Sequence, residues 1–262
     1  MERFSRIIQV IGDDSFQKLQ KARITIFGLG AVGAWAAEML ARSGVGHFTL
    51  VDFDRIAKTN INRHVCAAES TIGIPKVEAV RNRILDINPK AEVKALKLFA
   101  DYTNRDAILD ENPDIVIDAI DSLGPKAALL EAIHQRGLRA ISSMGAALKT
   151  DITAVRTGDL FKTTVCPLAR SLRKYLRRRG IADGILCVYS TEAPDPEALK
   201  APEIEIDDEQ LHRGRERNIL GSYPPVTAVF GITITDLAVK MICNPTLLLV
   251  DRQKKSLPVG RH

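Results

Sequence analysis

The run "ARITIFGLGAVGAWAAEMLARSGVG" constrains the fold more than any other stretch of the chain. A short β-branched segment turns through Gly28, Gly30 and Gly33 directly into an Ala-rich helix that closes at Gly44. Glycine lets a backbone turn tightly and approach a phosphate, and the exposed N–H groups at the start of a helix attract negative charge. The context therefore predicts a nucleotide-binding strand–loop–helix unit. The competing reading is a tight turn packed for its own sake.

The following segments keep the alternation. "HFTLVDFD", "AEVKALKLF", "DIVIDAID" and "LRAISSMG" read as strands, separated by helical stretches such as "PKVEAVRNRILDINP", "NRDAILDE" and "PKAALLEAIHQRG". Apolar strands alternating with helices indicate a mainly parallel sheet covered on both faces. With right-handed crossovers the expected fold class is α/β, a doubly wound Rossmann-like sheet with ligands at the carboxyl ends of the strands. Beyond about Met144 the pattern changes. "DITAVRTGDL" and "GILCVYST" read as further strands, with an antiparallel arrangement open to them, around the basic helix "LARSLRKYLRRRG". Residues 193–217 read as a long polar surface loop. "GSYPPVTAVFGITITDLAVKMI" reads as a helix that packs back on the sheet. We expect residues 1–150 to form the nucleotide-binding core and 151–262 a C-terminal extension of the same domain.

Charges near the glycine loop decide what kind of nucleotide fits. Asp52 ends the second strand at the distance expected for a ribose acceptor, which by itself describes a nicotinamide-dependent oxidoreductase. Arg63 and Lys76 follow, where a dinucleotide has no further phosphate to neutralise and a triphosphate does. Asp121, in "DAIDS", is expected across the same crevice, and a carboxylate facing a triphosphate commonly holds Mg²⁺. Lys76 as a solvated first-turn residue and Asp121 as a helix cap are the structural alternatives.

In combination, "RFSRIIQVIGDDSFQKLQKARITIFGLGAVG", "LVDFDRIAKTNINRH", "GIPKVEAV" and "VIDAIDS" resemble the E1-like superfamily of ATP-dependent adenylating enzymes. That superfamily includes activators of molybdopterin, thiamin-pathway and ubiquitin-type proteins. The resemblance covers most of the first 150 residues. It implies the E1-like adenylation fold, ATP and Mg²⁺ as cofactors, and a homodimer. It also implies roles for residues of this chain. Asp52 holds the ribose, with Asp54 in the same nucleotide-binding set. Asn60, Arg63 and Lys76 bind phosphates, and Asp121 positions magnesium and the α-phosphate. Arg6 reaches into a neighbouring subunit's site.

The second half is similar to the tRNA threonylcarbamoyladenosine dehydratase branch of that superfamily. The resemblance rests on "AIDSLGPKAALL", "MGAALKTDITAVRTGDLFKTTVCPLARSLRKYLRR" and "LCVYSTEAP". It implies a tRNA whose adenosine 37 carries a threonylcarbamoyl group, whose carboxylate is activated by ATP and cyclised with loss of AMP. A sulfur-transfer protein is a further partner compatible with it. The alternative is an activator of the C-terminus of a small sulfur-carrier or ubiquitin-like protein, but such members usually carry two C-x-x-C zinc pairs and this sequence has none. A nucleotide-sensing module without turnover is the non-catalytic alternative.

Composition bounds the rest. The chain has 262 residues, a net charge of +5 and four cysteines, Cys66, Cys166, Cys187 and Cys243, which are too scattered for a zinc ribbon or a disulfide framework. That favours a reducing cytoplasm. No apolar run reaches the roughly 18 uninterrupted residues of a membrane span; Asp236 and Lys240 break the nearest one. In "ARSLRKYLRRR", Arg170, Arg173, Lys174 and Arg177 fall on one helical face, with Leu168, Leu172 and Leu176 on the other. Such a helix offers a cationic stripe to a phosphate backbone, unless the acidic run "EIEIDDE" pairs with it. Cys187 admits an acyl-carrier role, but its place inside a strand favours a small buried hydrophobe.

Overall fold

A computed structural model describes residues 2–193 and 220–244. It shows a seven-stranded sheet in the order β3-β2-β1-β4-β5-β7-β6. The strands are β1 (Arg23–Phe27), β2 (His47–Asp52), β3 (Glu92–Lys97), β4 (Ile115–Asp118), β5 (Ala140–Ser143), β6 (Val155–Asp159) and β7 (Leu186–Ser190). Every neighbouring pair is parallel except β6 with β7. The expected doubly wound sheet is present, and its antiparallel ending comes from the second half of the chain.

Helices cover both faces. α2 (Asp13–Lys21), which follows α1 (Ser5–Ile11), lies on one face with α3 (Ala31–Arg42), α4 (Lys76–Ile87) and α8 (Pro224–Cys243). Here Leu19, Leu40, Val77, Ile84, Phe230 and Ile234 meet Ile24 and Ile26 of β1 in one apolar core. α5 (Tyr102–Asp110), α6 (Leu123–Gln135) and α7 (Pro167–Arg177) cover the other face. There Leu109, Leu130, Leu172 and Leu176 meet Phe27 and Val116. Alternate residues of β1 thus serve opposite cores, as the period-two geometry of a strand requires. The loop expected over 193–217 lies, apart from Ala193, almost wholly outside the described residues, as does the acidic run at 203–209.

α8 is long and apolar enough to cross a membrane by length and composition. Its placement here is that of a core helix, with Val226, Phe230, Ile234 and Ala238 fully buried. Gly231 explains how closely it packs on α3: a Cβ there would stand 2.6 Å from Cβ of Trp35 and 2.7 Å from the carbonyl of Val32. The proline pair at its first turn falls where missing N–H groups cost nothing.

Strand β1 has β2 on one side and β4 on the other. The chain winds outward in both directions from that point, so a crevice opens beyond the carboxyl end of β1.

Candidate functional site

The glycine loop occupies this crevice. Gly28 has φ +87°, and a side chain there would also press its Cβ to 2.7 Å from the carbonyl oxygen of Ala119 in the loop after β4. Gly33 is equally constrained, because its Cβ would overlap the carbonyl of Gly28 at 1.9 Å. Gly30 differs: among the described residues nothing lies within 4 Å of a Cβ built on it. Internal packing accounts for two of the glycines and leaves the space beside the third for a ligand. Gly30 also sits at the N-cap of α3 without a side-chain capping bond. The first N–H groups of that helix therefore remain available to an anion.

Beside the loop, β2 delivers two carboxylates. Asp52 accepts the N–H of Leu29 at 2.6 Å and that of Asp54 at 2.8 Å. Burial raises its pKa above the usual aspartate value, opposed by the nearby charge of Lys76. Asp54 pairs with Lys76 Nζ at 2.8 Å, and the Lys76 side chain is only 10% exposed. The reading of Lys76 as a solvated first-turn residue is therefore overturned. The backbone N–H of Lys76 also donates to the Asp54 carbonyl at 3.0 Å, so the start of α4 is fixed to the end of β2.

Between β2 and α4 the chain forms two short turns that carry the other polar groups. Asn60 accepts the N–H of Ala57 at 3.2 Å, bracing the first turn. Arg63 donates through Nη1 to the carbonyl of Thr59 at 2.6 Å and to Asn62 Oδ1 at 2.8 Å. Partial burial lowers the Arg63 pKa, while the charge of Asp121 opposes the shift. The two groups thus lie close enough for their charges to interact. Asp121 is not in the fourth strand, as the sequence suggested, because β4 ends at Asp118 and the N-cap of α6 is Ser122. It stands in the connecting loop, where Ser122 Oγ lies 3.3 Å from its Oδ1.

The structure links the glycine loop, Asp52, Asp54 and Lys76 into one wall through the Leu29–Asp52, Asp54–Asp52 and Lys76–Asp54 contacts, and a bond from Trp35 of α3 joins the Arg63 segment to it. Arg6 is exposed on α1 and joins none of the hydrogen bonds or ion pairs of that wall among the described residues. Three residues that the sequence reading passed over support the site. His64, Asp118 and Lys126 are almost wholly buried. Lys126 pairs with Asp118 at 2.7 Å, both side chains at 0% exposure, and donates to the Ile120 carbonyl at 3.0 Å. Asp118 also accepts Ser142 Oγ at 2.6 Å and the Ile120 N–H at 3.2 Å. This network pins the loop that carries Asp121. A lysine amid the apolar "PKAALL" was the signal available in the sequence.

Cys187 is fully buried in β7, and burial pushes its thiol up to about 12. The thiolate that acyl transfer needs is therefore scarce at neutral pH. On α7, Ala169, Leu172 and Leu176 have no exposed surface. Burying each leucine is worth about 1.5–3 kcal/mol, which anchors the helix and fixes its outward face. Arg170, Lys174, Arg177 and Arg178 are exposed there. Arg173 departs from the expected stripe, since it is half-buried and donates to Thr163 Oγ1.

The family is decided by the whole length of the chain. The ThiF family model matches residues 4–256. The chain belongs to the ThiF family. Among curated relatives, the tRNA threonylcarbamoyladenosine dehydratase of Bacillus subtilis is 42% identical over 194 residues, covering 74% of this chain and 76% of the relative. The tRNA threonylcarbamoyladenosine dehydratase 2 of Saccharomyces cerevisiae is 34% identical over 95% of this chain, which spans 58% of that longer protein. Among solved structures, the E. coli tRNA N6-threonylcarbamoyladenosine dehydratase in complex with ATP superposes with a TM-score of 0.81 at 31% identity, over 97% of both chains. This ThiF-family chain thus shares the E1-like fold of that enzyme.

Proposed function

We propose that the chain is an ATP-dependent tRNA threonylcarbamoyladenosine dehydratase. The observation that carries the reading is the likeness over 97% of both chains to the ATP-bound E. coli dehydratase, and the wall of loop N–H groups, cations and carboxylates described above is suited to that nucleotide. In the proposed reaction a carboxylate oxygen of the threonylcarbamoyl group attacks the α-phosphorus of ATP, and pyrophosphate leaves. The carbamoyl group of the same side chain then loses a proton and closes onto the activated carbonyl carbon, and AMP leaves with the former carboxylate oxygen. Asp52 accepts hydrogen bonds from the ribose hydroxyls, and the N–H groups at Gly30 and the start of α3 cradle phosphate. Arg63 and Lys76, with Asn60 bracing their segment, balance the charge that accumulates on pyrophosphate.

Among the described residues no cluster of three or more His, Cys, Asp or Glu side chains forms a resident metal site. A single carboxylate at Asp121 nevertheless fits magnesium that arrives on the nucleotide, because Mg²⁺ takes one or two carboxylates and completes its shell with phosphate oxygens and water. Magnesium bound there would neutralise phosphate charge. Residues 1–150 serve on this reading as the adenylating core, and 151–262 as the extension that meets tRNA through α7. Two copies form the working unit in the cytoplasm, with Arg6 of one completing the other's site. Mixing Arg6→Ala with Asp121→Ala subunits tests this, since only the hybrid has a complete site. A sulfur-transfer protein remains a compatible partner, testable by co-purification.

The experiment that tests the function is a nucleoside digest of tRNA bearing threonylcarbamoyladenosine after incubation with the protein and ATP. The cyclised nucleoside should appear only when both are present. Its absence, with ATP bound and the protein folded, removes the proposal.

A further inference from the structure

His64 lies between two segments that carry different parts of the site, and only 4% of its surface is exposed. Its Nε2 stands 2.8 Å from the carbonyl oxygen of Leu29 in the glycine loop. Its Nδ1 stands 3.1 Å from the backbone N–H of Cys66. A carbonyl only accepts and an amide N–H only donates. One species satisfies both contacts: the neutral imidazole with its proton on Nε2. Burial, helped by the charge of Lys76, lowers the His64 pKa to about 4, so the ring stays neutral through the physiological range.

Leu29 is held from its other side as well. Its N–H donates to Asp52 at 2.6 Å, while its carbonyl accepts from the residue next to Arg63. A second tie runs parallel, from Trp35 Nε1 at the start of α3 to the carbonyl of Arg63 at 3.2 Å. The peptide at the centre of the glycine loop is thus gripped by the residue assigned to the ribose and by the neighbour of the phosphate cation.

We infer that His64 is a positioning residue for the ATP site, locking the glycine loop and the Arg63 segment into one unit through its Nε2–H bond to the Leu29 carbonyl. The inference rests on the ATP-binding reading above. It places His64 outside the chemistry but in control of the spacing between the phosphate cradle and Arg63. A 1 Å error in that spacing is enough to degrade a preorganised site. The competing role for a buried histidine here is local, bracing its own turn through Nδ1 and the Cys66 N–H.

Side-chain length separates the two roles. The amide nitrogen of glutamine reaches the position of Nε2, whereas asparagine reaches only that of Nδ1. ATP affinity should be measured by calorimetry, and melting by circular dichroism, for the wild type, His64→Gln, His64→Asn and His64→Ala. We expect His64→Gln to stay within about threefold of wild-type affinity. His64→Asn and His64→Ala should bind about tenfold more weakly, the order of one buried hydrogen bond. Asparagine restoring affinity as well as glutamine, or a folded alanine variant binding ATP like the wild type, overturns the inference. A readout that needs no variant is the ¹⁵N spectrum of the histidine rings in the wild type. It should show His64 as the Nε2–H tautomer, and an Nδ1–H tautomer or a titration near the ordinary histidine value overturns the inference equally. If the wild type binds no ATP, the ATP-binding reading is what fails, and the tautomer still decides whether the tie exists.

Discussion

Lys76 Nζ lies 2.8 Å from Asp54 Oδ2, with the lysine side chain 10% exposed and the aspartate 25%. An ammonium carries three donors, so this pairing aims the amine while leaving donors for a phosphate. Replacing either Lys76 or Arg63 by alanine should lower turnover by about 10²-fold, since charge stabilisation at a leaving phosphate is worth a few kcal/mol. The two variants should differ in stability. Lys76→Ala leaves Asp54 unpaired next to the already desolvated Asp52, whereas Arg63→Ala leaves a shallower gap. AMP release and thermal melts on both variants check this, and near-normal AMP release by both would remove the pair from the mechanism.

His64 gives a pH dependence with a definite sign. Its folded pKa of about 4 lies below the ordinary value of 6.5. Between those values the unfolded chain takes up a proton that the folded chain refuses. Its contribution to stability is therefore intact above pH 6.5 and is lost as the pH falls towards 4. The loss should be about 3 kcal/mol. Urea unfolding across that range should show a steeper acid slope for the wild type than for His64→Gln. Parallel slopes would mean that the imidazole already charges inside the fold.

The buried thiol and the loop carboxylate should behave oppositely. Ring closure joins two groups of one small side chain and already has a high effective molarity. A thioester at Cys187 would add a step without an entropic gain. Cys187→Ala should keep most activity and lose roughly 1 kcal/mol of stability, while Asp121→Ala should lose nearly all activity. A folded Cys187→Ala variant that exchanges pyrophosphate into ATP yet makes no cyclised nucleoside would establish the thiol as an acyl carrier.

For α7 the choice of residues matters. Arg173 is occupied by Thr163, and the Arg177 guanidinium sits 5.6 Å over the Phe161 ring. Arg170, Lys174 and Arg178 are the better probes of a phosphate contact. Changing all three to glutamine should weaken tRNA binding and reduce its log–log salt slope by up to about 3, nearly one for each lost contact. ATP affinity should not change. An unaltered slope would leave α7 as a solvated face.

Much of this was legible in the sequence because it is local. The glycine loop, Asp52 at the end of β2 and the alternation of strands and helices all follow from neighbours along the chain. Lys76 is visible as a candidate, but its partner Asp54 lies 22 residues away, and that distance is closed by the bridge between Arg55 and Pro75 together with the backbone bonds of Lys76 to Asp54 and of Ile56 to Ile74. The tie from His64 to Leu29 spans 35 residues, so neither residue type announced it. The run "DIVIDAID" reads as a strand through Asp121 because it is near-continuously apolar and ends in acids, yet pairing with β5 stops at Asp118. Arg173 shows the same limit on a helix. A helical wheel places it with the other cations, and only the neighbouring Thr163 draws it inward. Pairwise geometry across the crevice was the part that required the fold.

Carboxylate adenylation has an atomic signature that other ATP chemistries lack. When the bound carboxylate attacks the α-phosphorus, one of its oxygens becomes part of AMP. The most direct measurement therefore uses tRNA whose threonylcarbamoyl carboxylate carries oxygen-18 at both oxygens, incubated with the protein and ATP, with the nucleotide products weighed by mass spectrometry. The account predicts one oxygen-18 in each AMP and one cyclised nucleoside per AMP formed. Unlabelled AMP, or ADP with labelled inorganic phosphate, would contradict it.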